Sequence, residues 1–327
     1  MTSIVETRDL TRRYGNTLAL NHLNLQIPQG AIYGFIGPNG AGKTTTMRIL
    51  TTLLEPSGGE AFVAGYSVTR ERTAVRRSVG FMPDFFGVYD SMKAHEYLDF
   101  FAASYNIPAA RRPKLIDDLL ALVDLSHKKD AEVMSLSRGM KQRLSLARTM
   151  LHDPALLILD EPASGLDPRA RVELRELLKE LRSMGKTIMI SSHILTELAE
   201  MSTHIGIIER GTLLASGDVA TIMRSLQPHR VYDVHILPDD ETSMGDALEA
   251  AAALVREMPH VLEVRTLPEA TPPHLQIDVD GDDKAVSALL ARLVGAGVQV
   301  TYFAGQVSDL EDIFMRVTEG SAYGGTS

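Results

Sequence analysis

The sequence predicts an α/β protein: a core of parallel strands with an antiparallel β portion and a helical portion, followed by a small α+β unit. Three observations predict it. Residues 31–50 read as a buried strand, a glycine-rich loop and a helix in immediate succession. Leu156-Leu157-Ile158-Leu159 and Thr187-Ile188-Met189-Ile190 are short continuous apolar runs, which suit parallel strands covered on both faces. Beyond residue 229 the pattern becomes strand, helix, strand, strand, helix, strand.

Val5 to Gln29, with Glu60 to Val68, alternates apolar and polar residues as strands with one solvated face do. Ala31–Ile36 is the buried strand that enters the loop, and Thr45–Leu50 is the helix that leaves it. From about Tyr89 to Met150 the pattern is mostly helical, with Leu115, Leu119, Leu122 and Val123 spaced as one amphipathic face. Leu136–Gln142 precedes a helical run through Leu144, Ala147 and Leu151, for which Ser137 is a ready cap. Asp167 and Pro168 start a helix whose apolar side is Leu174, Leu177, Leu178 and Leu181, and Gly185 stops it. Strands and helices alternating in this way build a parallel sheet.

Pro228, in a polar stretch, marks a boundary that divides the chain into domains 1–226 and 229–327. The second reads as strand Val231–Leu237, helix Ser243–Met258, strands Val261–Leu267 and Leu275–Val279, helix Lys284–Val294 and strand Val298–Phe303. That is the ferredoxin-like order. A last helix at Leu310–Val317 precedes a tail, Gly320–Ser327, of disordered composition. This part carries no glycine-rich loop, paired acids or histidine cluster, so it reads as a binding or dimerisation module.

Composition narrows the function. The 327 residues are 44% hydrophobic and 23% charged, as in a soluble globular protein of about two domains. A net charge of −9 argues against a broad basic surface for nucleic acid. There is no cysteine, which excludes disulfides, thiolate metal sites and thiol catalysis. The first residues lack the apolar core of a signal peptide, and no stretch approaches the ~18 apolar residues of a membrane span. Any membrane crossing is expected of another polypeptide.

Residues 37–45, Gly-Pro-Asn-Gly-Ala-Gly-Lys-Thr-Thr, carry the chemistry. Gly37, Gly42, Lys43 and Thr44 satisfy G-x-x-x-x-G-K-[ST], a loop that cradles nucleotide phosphates. The glycines let main-chain N–H groups close on an anion, Lys43 adds a mobile positive charge, and the Thr44 hydroxyl can ligate Mg²⁺. The apolar strand at 156–159 ends in Asp160-Glu161. A strand-end acid beside such a loop holds Mg²⁺ through water, and the adjacent Glu161 can take a proton from attacking water. Ser137 and Gly139 open a helix as a second anion site, which one triphosphate does not need unless it belongs to a partner's nucleotide.

In these residues the chain resembles ATP-binding cassette subunits, the ATPase halves of transporters, over residues 4–226. The resemblance implies that Gly37, Pro38, Asn39, Gly40, Ala41, Gly42, Lys43, Thr44 and Thr45 hold ATP, and that Tyr14 stacks on adenine. It implies that Ser137 and Gly139 form the signature and that Asp167 closes the D-loop, Ser164–Asp167. Lys43, Glu161 and His193, the switch histidine, are then catalytic, and Mg²⁺ sits among Thr44, Asp160 and Asp84.

There are departures. Arg138 and Met140 stand where the signature usually has Gly and Gln, and Asp84 stands at the usual glutamine of the Q-loop. Asp is a harder Mg²⁺ ligand than an amide but adds negative charge beside the phosphates, so slower or more Mg²⁺-dependent hydrolysis is expected. The altered signature and Leu310-Glu311-Asp312-Ile313-Phe314 resemble bacterial exporters of drugs, antibiotics, lipids or polysaccharides. The partners implied are a second copy or a homologous ATPase, paired head to tail, and a membrane permease on whose cytoplasmic side the chain sits. Phe85, Phe86, Val88 and Tyr89 either fill the local core or meet that permease. The alternative is a soluble cassette ATPase acting on ribosomes or in DNA repair. Those usually carry two cassettes in one chain, or coiled-coil or zinc-binding insertions.

Overall fold

The computed structural model describes residues 2–84, 91–226, 230–238 and 243–305. Phe85, Phe86, Val88, Tyr89, Pro228 and the expected helix at Leu310–Val317 lie outside the described residues. The chain divides into two compact units, Met1–Ile222 and Met223–Ser327.

The first unit opens with strands β1 (Ser3–Tyr14), β2 (Thr17–Leu23), β3 (Gln26–Pro28) and β4 (Ile32–Ile36), then helix α1 (Lys43–Leu50). Strands β5 (Gly58–Val63) and β6 (Tyr66–Ser67), helix α2 (Arg72–Ser78) and strand β7 (Val79–Met82) follow. Next come helices α3 (Ala94–Ser104), α4 (Arg112–Leu122) and α5 (Arg138–Met150), and strand β8 (Leu156–Leu159). Helix α6 (Pro168–Ser183), strand β9 (Thr187–Ser192), helix α7 (Leu195–Met201), strands β10 (His204–Glu209) and β11 (Thr212–Asp218) and helix α8 (Val219–Leu226) complete it, α8 straddling the division between the units.

These strands form two sheets. One is antiparallel, in the order β2-β1-β5-β6 with β3 also on β1. The other runs β11-β10-β4-β9-β8-β7, parallel throughout except at its edge strand β11. Every residue of β4, β8 and β9 is buried, as continuous apolar runs require of strands covered on both faces. On α6 the buried residues are Leu174, Leu177, Leu178 and Leu181, and Gly185 follows with a left-handed φ of +86°.

Helix α4 differs by one position from its expected face. Ile116, Leu119, Leu120 and Val123 are buried, while Leu115 and Leu122 are only half-buried. The spacing i, i+3, i+4, i+7 is met from Ile116, and a run this rich in leucine offers two overlapping stripes.

The second unit contains β12 (Arg230–Leu237), α9 (Met244–Val255), β13 (Val261–Leu267), β14 (His274–Val279), α10 (Asp283–Gly295) and β15 (Gln299–Gly305). Its sheet is antiparallel in the order β13-β14-β12-β15. Val234 and Ile236 of β12 and Leu275 and Ile277 of β14 pack with Leu248, Ala252 and Val255 of α9 and Leu289 and Leu293 of α10 in one apolar core.

Candidate nucleotide site

The loop between β4 and α1 is braced from beneath. A Cβ at Gly37 would lie 2.3 Å from the Ile208 carbonyl oxygen of β10, so only glycine passes there. Gly42 has φ +112° and faces the Ala19 carbonyl oxygen, 2.8 Å from where its Cβ would be. The Gly211 N–H, in the β10–β11 turn, donates to the Ala41 carbonyl at 2.8 Å. Above these contacts, residues 38–45 line a cleft of about 200 Å³ together with Asp84, Asp160 and Glu161.

Lys43 is buried. Its ammonium donates to the Gly37 carbonyl at 2.6 Å and the Pro38 carbonyl at 3.3 Å, and lies 3.6 Å from Glu161 Oε1. Burial pulls its pKa below the usual lysine value, and the charges of Glu161 and Asp160 oppose that shift.

Asp160, 1% exposed at the tip of β8, accepts from the Thr44 hydroxyl at 2.9 Å through Oδ2 and from Ser191 Oγ at 2.5 Å through Oδ1. The same Ser191 oxygen accepts from the Glu161 N–H at 2.9 Å. Glu161 has φ +49°, an uncommon conformation for a non-glycine residue, which this bond helps to hold. His193, exposed just past β9, brings Nδ1 to 3.1 Å from the carboxylate oxygen Oε2 of Glu161.

Adjacency of strands explains the convergence. Spatial neighbours β4, β9, β8 and β7 end in the glycine loop, in Ser191–His193, in Asp160–Glu161 and at Asp84 respectively. The donors fit a divalent ion of hard character: the Thr44 hydroxyl and the carboxylates of Asp160 and Asp84. Among the described residues no three or more His, Cys, Asp or Glu side chains form a group that could hold a metal. An ion here would draw most of its ligands from phosphate and water, as Mg²⁺ does.

The remaining sequence-predicted residues lie elsewhere. Tyr14 is 44% exposed at the end of β1. Ser137 caps α5, accepting from the Met140 N–H at 3.3 Å, and Asp167 caps α6, accepting from the Ala170 N–H at 2.9 Å. Gly139 faces Ala170, with 3.4 Å between the Ala170 Cβ and the place of its own missing one. The starts of α5 and α6 thus form one patch.

Sequence reasoning missed two features. One is the Ser191 bridge. The other is Arg138, whose guanidinium covers Gly165 so closely that a Cβ there would lie 2.4 Å from Arg138 Cζ. Both join segments far apart in the chain, and the only sequence hint was the departure from glycine at 138.

A family model described as ABC transporter matches residues 20–164. Bacitracin transport ATP-binding protein BcrA of Bacillus licheniformis is 42% identical over 215 residues, covering 65% of this chain and 69% of that one. Nod factor export ATP-binding protein I of Cupriavidus metallidurans is 33% identical over 318 residues, 97% of this chain and 98% of that one. Among solved structures, an ATP-binding subunit of an ABC transporter superposes with TM-score 0.62 at 29% identity, over 68% of this chain and 93% of that one. A dimeric bacterial ABC transporter cassette does so with TM-score 0.60 at 25% identity, over 66% and 98%. With its phosphate loop, strand-end acids and histidine brought together on one sheet edge, the chain belongs to the ABC transporter family, as an ATP-binding and ATP-hydrolysing subunit.

Proposed function

We infer that the chain hydrolyses ATP at the cytoplasmic face of a membrane to power an exporter whose channel is a separate permease. The observation that carries the chemistry is the continuous chain Thr44–Asp160–Ser191–Glu161–His193 beside the glycine loop. Export is supported by relatives named for bacitracin transport, Nod factor export and linearmycin resistance, two of which align over nearly the whole chain. Among the described residues no helix is long and apolar enough to cross a membrane, which fits a separate permease.

In this reading the phosphates lie on the N–H groups of the loop and the start of α1, where the helix dipole favours an anion. Tyr14 offers its ring to adenine. Thr44, Asp160 and Asp84 would hold Mg²⁺, which when bound offsets charge developing on the phosphates. Glu161 holds one oxygen toward Lys43 and the other toward His193. A γ-phosphate competes for the Lys43 ammonium and for a hydrogen bond from His193, leaving the Glu161 carboxylate to take the proton of the attacking water.

Ser137, Gly139 and Asp167 serve the nucleotide of a second copy, paired head to tail; their common patch at the starts of α5 and α6 supports this. Asp84 slows turnover or raises its Mg²⁺ requirement. The domain division falls at 226–229, and the β-α-β-β-α-β succession and sheet order support a ferredoxin-like second domain that pairs or regulates.

The test is Glu161→Gln, which keeps shape and loses the base. Turnover should fall on the order of 10²- to 10⁴-fold, with ATP binding intact and an ATP-bound dimer accumulating. Turnover close to that of the parent at saturating Mg·ATP would remove Glu161 from the role of base.

A further inference from the structure

Arg12 and Tyr14 lie two apart on β1, on one face of the strand. The guanidinium of Arg12 sits over the Tyr14 ring, 4.6 Å from its centroid. Its NH1 donates to the Glu55 carbonyl at 2.9 Å, just after α1, which fixes the far end of the group. Its Nε is buried and makes no hydrogen bond among the described residues, so the planar group has given up a partner to lie where it does. The pairing of β1 with β2 slips on both sides of Arg12, an irregularity of the kind that re-aims a side chain. Tyr14 itself stays 44% exposed.

We propose that Arg12 is a positioning residue for the nucleotide base: it backs the Tyr14 ring so that the ring's other face receives adenine. The inference rests on the reading of Tyr14 as the adenine platform. A stacked cation pins the ring before the base arrives, so less side-chain freedom is lost on binding. It also draws electron density toward the covered face, which favours stacking of an electron-rich purine on the open one. Lysine would supply the charge without the planar fork. Arg12 thereby separates two parts of the affinity. The phosphates are held by the loop, and the base by a sandwich of guanidinium, phenol ring and purine.

The experiment measures equilibrium binding of ATP and of inorganic tripolyphosphate to the full-length chain, for the parent, Arg12→Gln, Tyr14→Ala and the double variant. Arg12→Gln should weaken ATP roughly two- to fivefold and leave tripolyphosphate unchanged, and its effect on ATP should vanish in the Tyr14→Ala background. Tripolyphosphate binding also reports that the chain is folded; Arg12→Met, which keeps the aliphatic stem, carries the same expectation should Arg12→Gln not fold. An equal loss for both ligands, or a loss that persists without Tyr14, would overturn the proposal and leave Arg12 as a brace for Glu55. No loss of ATP in Arg12→Gln, with Tyr14→Ala clearly weakened, overturns it too. If Tyr14→Ala binds ATP as the parent does, the adenine platform itself fails and the proposal with it.

Discussion

Between Asp160 and Glu161 stands one hydroxyl, that of Ser191, donating to the first residue's carboxylate and accepting from the second's N–H. Ser191→Ala would leave Asp160 Oδ1 and a backbone N–H without that partner, at a cost of about 1–3 kcal/mol. The larger effect belongs to the chemistry. Glu161 would lose what holds its left-handed backbone, and turnover should fall roughly ten- to a hundredfold with ATP affinity nearly unchanged. Steady-state rates set against equilibrium binding check this; an equal loss in both would mean that Ser191 supports the nucleotide rather than the base. At this scale the sequence was most informative about groups that end an apolar run. The loop residues, Asp160 and Glu161 each follow a buried strand, so the local pattern singled them out; His193 also follows one, but its role was implied by the family resemblance. Ser191 lies inside such a strand and reads as one more buried position. Its role exists only because β8 and β9 are neighbours, a fact that no local pattern carries.

At the scale of elements, His152 joins three of them. It follows α5, its Nε2 lies 3.0 Å from the Val79 carbonyl at the start of β7, and its ring stacks at 4.1 Å on Tyr105 at the end of α3. With Nε2–H donating to Val79, the buried Nδ1 has no hydrogen-bond partner among the described residues, so protonating it would strand a charged N–H. Burial accordingly pulls the pKa below the usual 6.5. Below that value the unfolded chain binds a proton that the folded chain resists, so stability falls as the pH drops through the window beneath 6.5 and levels off under the folded value. His152→Phe keeps a stacked ring and removes the titration. Its Tm should therefore change less than the parent's between about pH 7 and pH 5, as thermal unfolding would show; parallel profiles would assign the acid loss to other groups. Helix α4 shows why element existence was more legible than element faces. Its leucines permit two stripes, and tertiary packing chose the one through Ile116.

For the whole molecule, the head-to-tail pair proposed above makes a prediction of its own. Lys43→Ala damages the loop and Ser137→Arg the signature, so a mixed pair has one site with both defects and one with neither. Mixing the two inactive chains should restore part of the ATPase rate; no recovery, with mixed pairs demonstrated by light scattering and tagged capture, would count against composite sites. The succession of elements in the second unit was legible from periodicity, as were β4, α1, β8, α6 and β9 of the first, whereas β7, β10 and β11 were not singled out. Sheet order was not legible. Strand β9 comes after β4 and β8 in the chain yet lies between them, paired with each. With it in place β4 and β8 stand two strand spacings apart, about 10 Å, each hydrogen-bonded to β9 rather than to the other. During synthesis, then, a nascent chain already holding the glycine loop, Asp160 and Glu161 still has no nucleotide site. The grip on ATP is complete only once β9 has entered the sheet between β4 and β8 and β10, made after it, has come to lie beneath the glycine loop.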